Sequence, residues 1–268
     1  MFYKNLFHDP IKRISADETK TLISSKQFDR YQLIDVRQPG EYEQGHIPGA
    51  ILIPLSDLPY RYTELDADRE TIVYCRSGVR SRSGCQILTG LGLKSVYDME
   101  GGIVAYNGEQ AEGNVEAGLE FFIDKDFDSA YELAFTMEAG LKNFYLTLAD
   151  EADGDEEQET LARLARFEDS HMTKLASKFG AVSFDPDASI TEGGIDIEQM
   201  LEYFGDQLLS REQILQLAMK LEAQAFDLYS RLAHEQAGSD TETFYRSMAD
   251  EERGHMLIIS RELDKLIA

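Results

Sequence analysis

The sequence predicts two domains of different fold class: an N-terminal α/β domain with a mainly parallel sheet, and a C-terminal all-α four-helix bundle. Strand and helix signals alternate over residues 1–106, which is typical of a parallel sheet flanked by helices. From about residue 126 onward, apolar residues recur with the 3.6-residue period of helices. Within this helical region, the same set of residue types occurs twice, 84 positions apart. We therefore expect two independent cores.

Composition places the boundaries. Residues 1–106 are predicted as the first domain, 107–119 as a linker and 120–268 as the second domain. The linker sequence, NGEQAEGNVEAGL, is rich in Gly, Ala and Glu and has little to bury. A chain of 268 residues is long enough for both cores.

Charge and cysteine content exclude several classes of partner. The net charge is −4 over residues 1–119 and −20 over residues 120–268. An acidic surface repels nucleic acid and anionic membranes, so we expect neither as a partner. The N-terminus has no signal-peptide pattern, and no apolar run approaches the roughly 20 residues of a membrane helix. Two cysteines do not make a disulfide framework, so we expect a reducing, cytoplasmic location.

Local signals predict the elements of the first domain. Ser15 followed by Glu18 predicts a capping box that opens a helix to about Ser24. A further helix is expected over residues 78–91. Four short apolar runs suit buried strands: residues 31–36, 49–54, 71–75 and 95–99.

Four long helices are predicted in the second domain, over about residues 127–150, 156–179, 211–236 and 240–267. Ser210 with Gln213 and Ser239 with Glu242 are expected to cap the third and fourth. Some 30 residues, including Pro186, Gly193 and Gly194, join the second helix to the third. Such a long crossover lets corresponding helices of the two halves face one centre.

Cys75 is the candidate nucleophile of the first domain. It follows a predicted strand and precedes a helix, where converging backbone N–H groups and the helix dipole favour a thiolate. Arg76 and Arg80 add positive charge. The loop formed by Ser77, Gly78 and Val79 is expected to hold an anion or a terminal sulfur atom.

Residues 1–106 resemble a rhodanese domain through three segments: LIDVRQPGEYEQGHIPGA (33–50), CRSGVRS (75–81) and VYDMEGGIVAY (96–106). The resemblance implies a sulfurtransferase in which Cys75 takes a sulfane sulfur, becomes a persulfide and passes it to an acceptor. The related phosphatase loops are one residue longer, so the spacing of Cys75 and Arg80 favours sulfur chemistry. A rhodanese fold used only for protein contacts is the alternative, although inactive members typically lack the cysteine. We expect Cys85 to be a core residue, His46 a structural turn residue, and Asp35 with Arg37 a local ion pair.

The repeat at 84 positions contains metal-ligand residue types. Each half supplies a glutamate on one helix and a Glu-x-x-His on the next, whose members share a helix face. Four carboxylates neutralise two divalent cations, and four carboxylates converging without metal would be strongly disfavoured. The candidate ligands are Glu138, Glu168, His171, Glu222, Glu252 and His255.

Helical glutamates usually lie on solvated faces. Two comparisons between the halves argue against that here: Glu132 maps onto Gln216, and Glu251 maps onto Phe167. Neighbouring glutamates therefore do not repeat, whereas the candidate ligands do.

Residues 120–268 resemble the rubrerythrin branch of the ferritin-like superfamily through MEAGLKNFY (137–145), FEDSH (167–171), LEAQAFDLY (221–229) and EERGH (251–255). The resemblance implies two iron ions, with manganese as the alternative, that reduce peroxide or dioxygen. Glu168 and Glu252 would bridge the ions, Glu138 and Glu222 would be terminal ligands, and His171 and His255 would bind one iron each. Tyr145 and Tyr229 would hydrogen-bond to the carboxylates or serve packing.

The chain departs from that family in two respects. Rubrerythrins usually carry a further glutamate where Ala225 stands, which puts iron movement between ligands in doubt. They also often carry a four-cysteine rubredoxin module, which this chain lacks, so an external electron donor is expected.

Together these resemblances predict a bifunctional enzyme, in which a sulfurtransferase is fused to a di-iron peroxidase or oxidase that acts in oxidative stress. We expect the protein to form a homodimer or a higher homo-oligomer. Its small-molecule partners would be a sulfur donor and acceptor and peroxide or dioxygen. One alternative has a persulfide supply electrons to the di-iron centre. Another is a non-catalytic sensor of sulfane sulfur or iron, or an iron-binding assembly module.

Overall fold

The computed structural model of the protein describes residues 11–25, 28–116, 119, 127–180 and 210–267. By backbone contacts the chain divides into two compact units: Met1–Gly108 with Glu112–Val115, and Glu109–Ala111 with Glu116–Ala268. A section of the predicted linker packs onto the first unit, because the Gly113 N–H donates to the Glu43 carbonyl. The predicted crossover with Pro186 and the two glycines lies outside the described residues.

The first unit is built on a five-stranded sheet in the order β1-β5-β4-β2-β3, and every described strand pair is parallel. The four predicted strands are confirmed: three are one to three residues shorter than their apolar runs, and the strand predicted over residues 71–75 has the same length but begins one residue earlier. Sequence reasoning missed β1, a three-residue edge strand in which only Ile14 is buried, so no apolar run marks it. The strands are β1 Lys12–Ile14, β2 Tyr31–Asp35, β3 Ala50–Leu52, β4 Glu70–Tyr74 and β5 Val96–Met99.

In the part of the first unit that the structure describes, five helices accompany this sheet, together with two short 3₁₀ turns at Phe28–Arg30 and Tyr62–Glu64. The predicted capping box of Ser15 and Glu18 is confirmed at the start of the first helix. The predicted helix after β4 is confirmed and begins at Val79, after Gly78 in the left-handed region at φ +91°. The helices are α1 Ala16–Ile23, α2 Pro39–Glu43, α3 Leu58–Arg61, α4 Val79–Gly90 and α5 Gly102–Ala105.

Strand β4 lies between β2 and β5, and its carboxyl end leads directly into Cys75. Parallel strands all end at one edge of the sheet, where loops and helix N-termini collect. The buried residues around β4 include Cys75 itself and Cys85. This core is formed by Ile34, Val36, Ile53, Leu58, Leu65, Val73, Cys75, Cys85, Leu88, Leu93 and Val96.

The second unit contains four long helices within its described residues: α6 Phe127–Glu151, α7 Asp155–Phe179, α8 Arg211–Glu235 and α9 Asp240–Ile267. Their bounds agree with the predicted ones within a residue. The capping box of Ser210 and Gln213 is confirmed. At the fourth helix, Ser239 instead donates to the Gln236 carbonyl, and the Glu242 carboxylate accepts from the Gly238 N–H.

Helix α6 packs along α7 and α8 along α9, with further contacts of α7 with α8 and of α6 with α9. Their shared core contains buried apolar side chains from all four helices: Leu141, Phe144, Tyr145, Leu148, Leu161, Leu164, Ala165, Ile214, Leu215, Ala218, Met219, Leu221 and Ile259. Among the described residues, no helix combines the length and the apolar character needed to cross a membrane.

Candidate functional sites

Cys75 lies in a tight loop between β4 and α4, and its thiol is buried. The Gly78 N–H donates to Cys75 Sγ at 3.2 Å. The left-handed backbone of Gly78 turns this N–H toward the sulfur, and a side chain there would be strained. The loop therefore directs the positive end of α4 toward Cys75.

The environment of Cys75 favours the thiolate. Burial raises the pKa of the thiol, but hydrogen bonds from the Ser81 backbone and hydroxyl and from the Ser77 and Gly78 backbone outweigh it. The pKa of Cys75 consequently lies below its ordinary value. Because the thiolate is the nucleophilic form, this loop activates the cysteine.

The start of α5, with Gly102, holds the cysteine loop in place through backbone contacts. The Ile103 and Val104 N–H groups donate to the carbonyls of Cys75 and Arg76, at 2.8 and 3.1 Å. A Cβ on Gly102, whose φ is +60°, would lie 2.4 Å from the Cys75 carbonyl oxygen. Only glycine therefore permits this approach.

The two predicted arginines differ in their surroundings. Arg76 is exposed, as are Ser77 and Val79. Arg80 is half-buried and forms a bidentate pair with Glu41 of α2, which sequence reasoning did not single out. Glu41 lies within the 33–50 segment of the rhodanese resemblance, so the signal was present but unassigned.

Sequence reasoning also missed two buried side chains on the inner side of the loop. Ser81 Oγ lies 3.7 Å from Cys75 Sγ and donates to Asp98 Oδ1 at 2.6 Å. Asp98 is in β5, where its Cα pairs with that of Val73 in β4. Neighbouring parallel strands thus place a carboxylate beneath the cysteine loop.

Arg37, Asp35, His46 and Cys85, which we expected to have structural roles, lie in buried positions. Arg37 and Asp35 form a buried ion pair, with Nη2–Oδ2 at 2.6 Å. His46 stacks on Tyr42 with ring centroids 3.5 Å apart, and its Nδ1 lies 3.0 Å from the Tyr42 carbonyl oxygen. Cys85 is fully buried in the core.

In the second unit, the six candidate ligands converge in the interior. All four carboxylates are 0% exposed, and the two histidines are at most 6% exposed. Ligand atoms within 4.8 Å of one another form three groups: Glu138, His171 and Glu252; Glu222, Glu252 and His255; Glu168, His171 and His255.

Glu252 faces both histidines. Its Oε1 lies 3.4 Å from His171 Nδ1 and its Oε2 lies 3.4 Å from His255 Nδ1. Glu138 Oε1 is 2.9 Å from His171 Nδ1, and Glu222 Oε2 is 3.1 Å from His255 Nδ1. Each imidazole is therefore close to one carboxylate of its own and shares Glu252 with the other.

The two imidazoles differ in charge preference. Burial lowers the pKa of His171 well below its ordinary value, with smaller contributions from His255 and Lys174. For His255, burial also acts to lower the pKa, but the charges and hydrogen bonds of Glu222 and Glu252 raise it well above the ordinary value. Among the described residues, none makes a well-formed hydrogen bond to either ring nitrogen of His171.

The surroundings of the two halves are not identical. The Phe167 ring stacks on His255, with centroids 5.7 Å apart. Its counterpart in the repeat, Glu251, instead forms an ion pair with Lys174 at 2.6 Å. Tyr145 and Tyr229 are fully buried in the helices that carry Glu138 and Glu222.

Comparison with known proteins identifies the family of the first unit. The sequence profile described as "Rhodanese-like domain" matches residues 15–109. The "Sulfurtransferase" of Allochromatium vinosum is 42% identical over 74 residues, which are 28% of this chain and 69% of that protein. The "Thiosulfate sulfurtransferase GlpE" of Pseudomonas entomophila is 33% identical over 109 residues, 39% of this chain and 96% of that protein.

Solved structures include similar chains. The rhodanese-like domain protein from Staphylococcus aureus is 32% identical, with 37% of this chain and 93% of that chain covered and a TM-score of 0.34. A rhodanese-related protein from Thermoplasma volcanium is 34% identical, with 35% and 89% covered and a TM-score of 0.32. Because the two sulfurtransferases exceed 30% identity over more than two thirds of their own length, the chain belongs, through residues 15–109, to the rhodanese-like domain family.

Proposed function

We propose that the first unit is a sulfurtransferase and that Cys75 carries the sulfur. The observation that supports this most directly is the Gly78 N–H donated to Cys75 Sγ at the start of α4. A thiolate in that position attacks a sulfane sulfur, and the same N–H groups then hold the terminal sulfur of the persulfide. Relatives named as sulfurtransferases support an enzyme of this kind.

Mass spectrometry of the intact protein tests this function. After incubation with thiosulfate or polysulfide, the protein should gain one sulfur atom, which a reductant removes. Cys75→Ser should abolish the adduct, and the matched control Cys85→Ser should retain it, because Cys85 is sealed in the core. An adduct that depends on Cys85 would contradict the proposal.

For the second unit, we propose a carboxylate-bridged pair of metal ions in a ferritin-like four-helix bundle. Four carboxylates with no exposed surface are very unfavourable unless cations compensate them. Two divalent ions would balance four carboxylates, and mixed nitrogen and oxygen ligands suit iron. Manganese is the alternative ion.

The arrangement of the ligands fits two ions. Glu138 and His171 would hold one, Glu222 and His255 the other, and Glu252, with one oxygen toward each histidine, would bridge them. Glu168 lies in the remaining group with both imidazoles and would bridge from the other side. When bound, such an iron pair supplies the electrons that reduce peroxide or dioxygen.

The chain's own residues set the conditions for that reaction. The apolar side chains around the buried carboxylates shield them from bulk solvent, and the Phe167 ring covers one face of His255. Ala225 is buried where the related rubrerythrins usually have a further carboxylate. The proposed ligand set is thus the same in both halves, and we expect its electrons to come from an external donor.

Metal analysis and rapid kinetics test this second function. The iron-loaded protein should contain two ions per chain, and Glu168→Ala with Glu252→Ala should lose both. Stopped-flow mixing of the reduced protein with peroxide and with dioxygen then separates a peroxidase from an oxidase. If the metal binds but neither oxidant reacts, the non-catalytic alternative of an iron or sulfane-sulfur sensor is favoured.

A further inference from the structure

A chain of hydrogen bonds leads inward from Cys75. Ser81, in the first turn of α4, lies between the cysteine and Asp98 of β5. The distance from Sγ to Ser81 Oγ is 3.7 Å, and that from Ser81 Oγ to Asp98 Oδ1 is 2.6 Å. All three side chains are buried, so bulk solvent does not compete for these bonds.

The direction of this chain follows from counting protons. A serine hydroxyl has a single proton, and Ser81 donates it to the Asp98 carboxylate. While the thiol is neutral, the Ser81 oxygen therefore acts as an acceptor toward Cys75, and its hydroxyl donates to the sulfur only once Cys75 is a thiolate. The only group on Cys75 that can donate to it is the S–H of the neutral thiol.

Asp98 is suited to accept a proton. Burial raises its pKa, and the charge of Glu100 adds to that rise. The hydrogen bond from Ser81 and the charges of Arg13 and Arg82 act in the opposite direction. The pKa of Asp98 consequently lies above the ordinary value for aspartate. Arg13 is in β1, Arg82 in α4, and Glu100 follows β5. On the other side of Cys75, the nearby charged group is Arg80, which is paired with Glu41.

We propose that Asp98 is the proton acceptor for Cys75 and that the proton reaches it through Ser81. The S–H proton moves to Ser81 Oγ while the Ser81 proton moves to Asp98 Oδ1. The products are a thiolate, an intact hydroxyl and a neutral carboxylic acid, and the total charge of the three groups is unchanged. This inference rests on the proposed sulfurtransferase function of Cys75.

Transfer along this route also reverses the hydrogen bond on the sulfur. After transfer, Asp98 donates to Ser81, and Ser81 donates to the new thiolate, which stabilises it. With thiosulfate as donor, the thiolate attacks the sulfane sulfur, the S–S bond breaks and sulfite leaves with the electron pair. Ser81 thus contacts the reacting sulfur, whereas Asp98 exchanges a proton with Cys75 only through Ser81.

The pH dependence of cysteine alkylation tests the proposal in full-length protein carrying Cys85→Ser. Wild-type Cys75 and Asp98 share a proton, so the rate of alkylation by iodoacetamide should show two ionisations and a reactive plateau between them. Asp98→Asn should leave a single ionisation that lies between the two wild-type steps, because only the thiol then titrates. Ser81→Ala should leave one ionisation at higher pH, because the thiolate loses its hydroxyl donor, with a loss of about tenfold near neutral pH for each unit of pKa. Ser81→Thr, which keeps the hydroxyl, should restore the two-step profile.

The controls separate this role from others. Glu100→Gln removes a nearby exposed carboxylate outside the relay, so both ionisations should remain, with the first shifted at most to slightly lower pH because Glu100 adds to the rise of the Asp98 pKa. If Asp98 acts only as a fixed negative charge, wild type itself will show a single ionisation, which Asp98→Asn shifts to lower pH, and the proposal is overturned. It is equally overturned if both variants keep the wild-type profile.

Two further measurements distinguish a failure of the proton relay from a folding defect and from a failure of the sulfurtransferase function. Circular dichroism establishes that each variant is folded; should Asp98→Asn not fold, the comparison of Ser81→Ala with Ser81→Thr decides by itself. Loss of the two-step profile in Ser81→Thr as well would then count against the relay. If wild type shows the two-step profile but never gains sulfur from thiosulfate, the sulfurtransferase function fails while the proton route stands.

Discussion

Arg80 and Glu41 form a bidentate ion pair, with Nη1–Oε2 at 2.6 Å and Nη2–Oε1 at 2.7 Å. The pair joins α4, the helix after the cysteine loop, to α2, which precedes β4 in the sequence. It also places a carboxylate against the arginine that the sequence assigns to the anion cradle. Some of the positive charge of the loop is therefore neutralised by Glu41.

Removing this carboxylate should lower stability in a pH-dependent way. The Arg80 hydrogen bonds depress the pKa of Glu41 from 4.5 to about 2, so the pair stabilises the fold above pH 4.5 and loses that effect as the pH falls toward 2. Because both side chains are about a third exposed, we expect Glu41→Gln to cost about 1 kcal/mol at pH 7. Urea denaturation at pH 7 and pH 3 measures the difference, which should be less than half as large at pH 3.

The matched control for that experiment is Glu43→Gln, an exposed neighbour on the same helix whose backbone carbonyl is kept. It should be neutral at both pH values. An equal effect of Glu41→Gln at pH 7 and pH 3 would show that the ion pair is not the cause.

Replacing Gly102 should disrupt the cysteine loop. Gly102→Ala places a Cβ 2.4 Å from the Cys75 carbonyl at a positive φ, so the loop or α5 must move. We expect a loss of at least about 2 kcal/mol in the free energy of unfolding, together with loss of the sulfur adduct. In Gly90→Ala, where the added Cβ meets nothing within 4 Å, stability should be unchanged or raised by up to about 1 kcal/mol.

Single substitutions in the candidate metal site should affect the two ions differently. Glu252→Ala removes the carboxylate that faces both histidines, so both ions should be lost. Glu138→Ala and Glu222→Ala should each weaken mainly the ion beside His171 or His255. Metal content per chain after gel filtration measures this, with Glu251→Ala, which removes only a surface ion pair with Lys174, as control. Full occupancy in Glu252→Ala would contradict a bridging role.

Metal removal should loosen the helical unit selectively. A ligand that binds the folded state adds stability by mass action, so a chelator should lower the melting temperature of the transition that belongs to the helices. The transition of the rhodanese-like unit should not move, because the candidate ligands lie only in α6 to α9. Differential scanning calorimetry with and without chelator measures both, and an unchanged thermogram argues against a buried metal site.

Periodic and local signals predicted most of the architecture. The apolar runs marked β2 to β5, and the 3.6-residue period marked α6 to α9 within a residue, because these elements bury long apolar stretches. The edge strand β1 carried no such signal, since it has three residues and buries one. The Ser239 cap differed because its hydroxyl finds a nearer backbone partner in the preceding turn.

The sequence by itself determined which residues could carry chemistry: one loop cysteine with its arginines, and six ligand-type residues repeated at a fixed spacing. Only the tertiary structure decided how those residues are paired. Glu41 meets Arg80 from another helix, and Asp98 lies near Cys75 because β4 and β5 are neighbours in the sheet. Such contacts join residues 17 to 39 positions apart, and they depend on strand order and helix packing, which a local pattern in the chain does not encode.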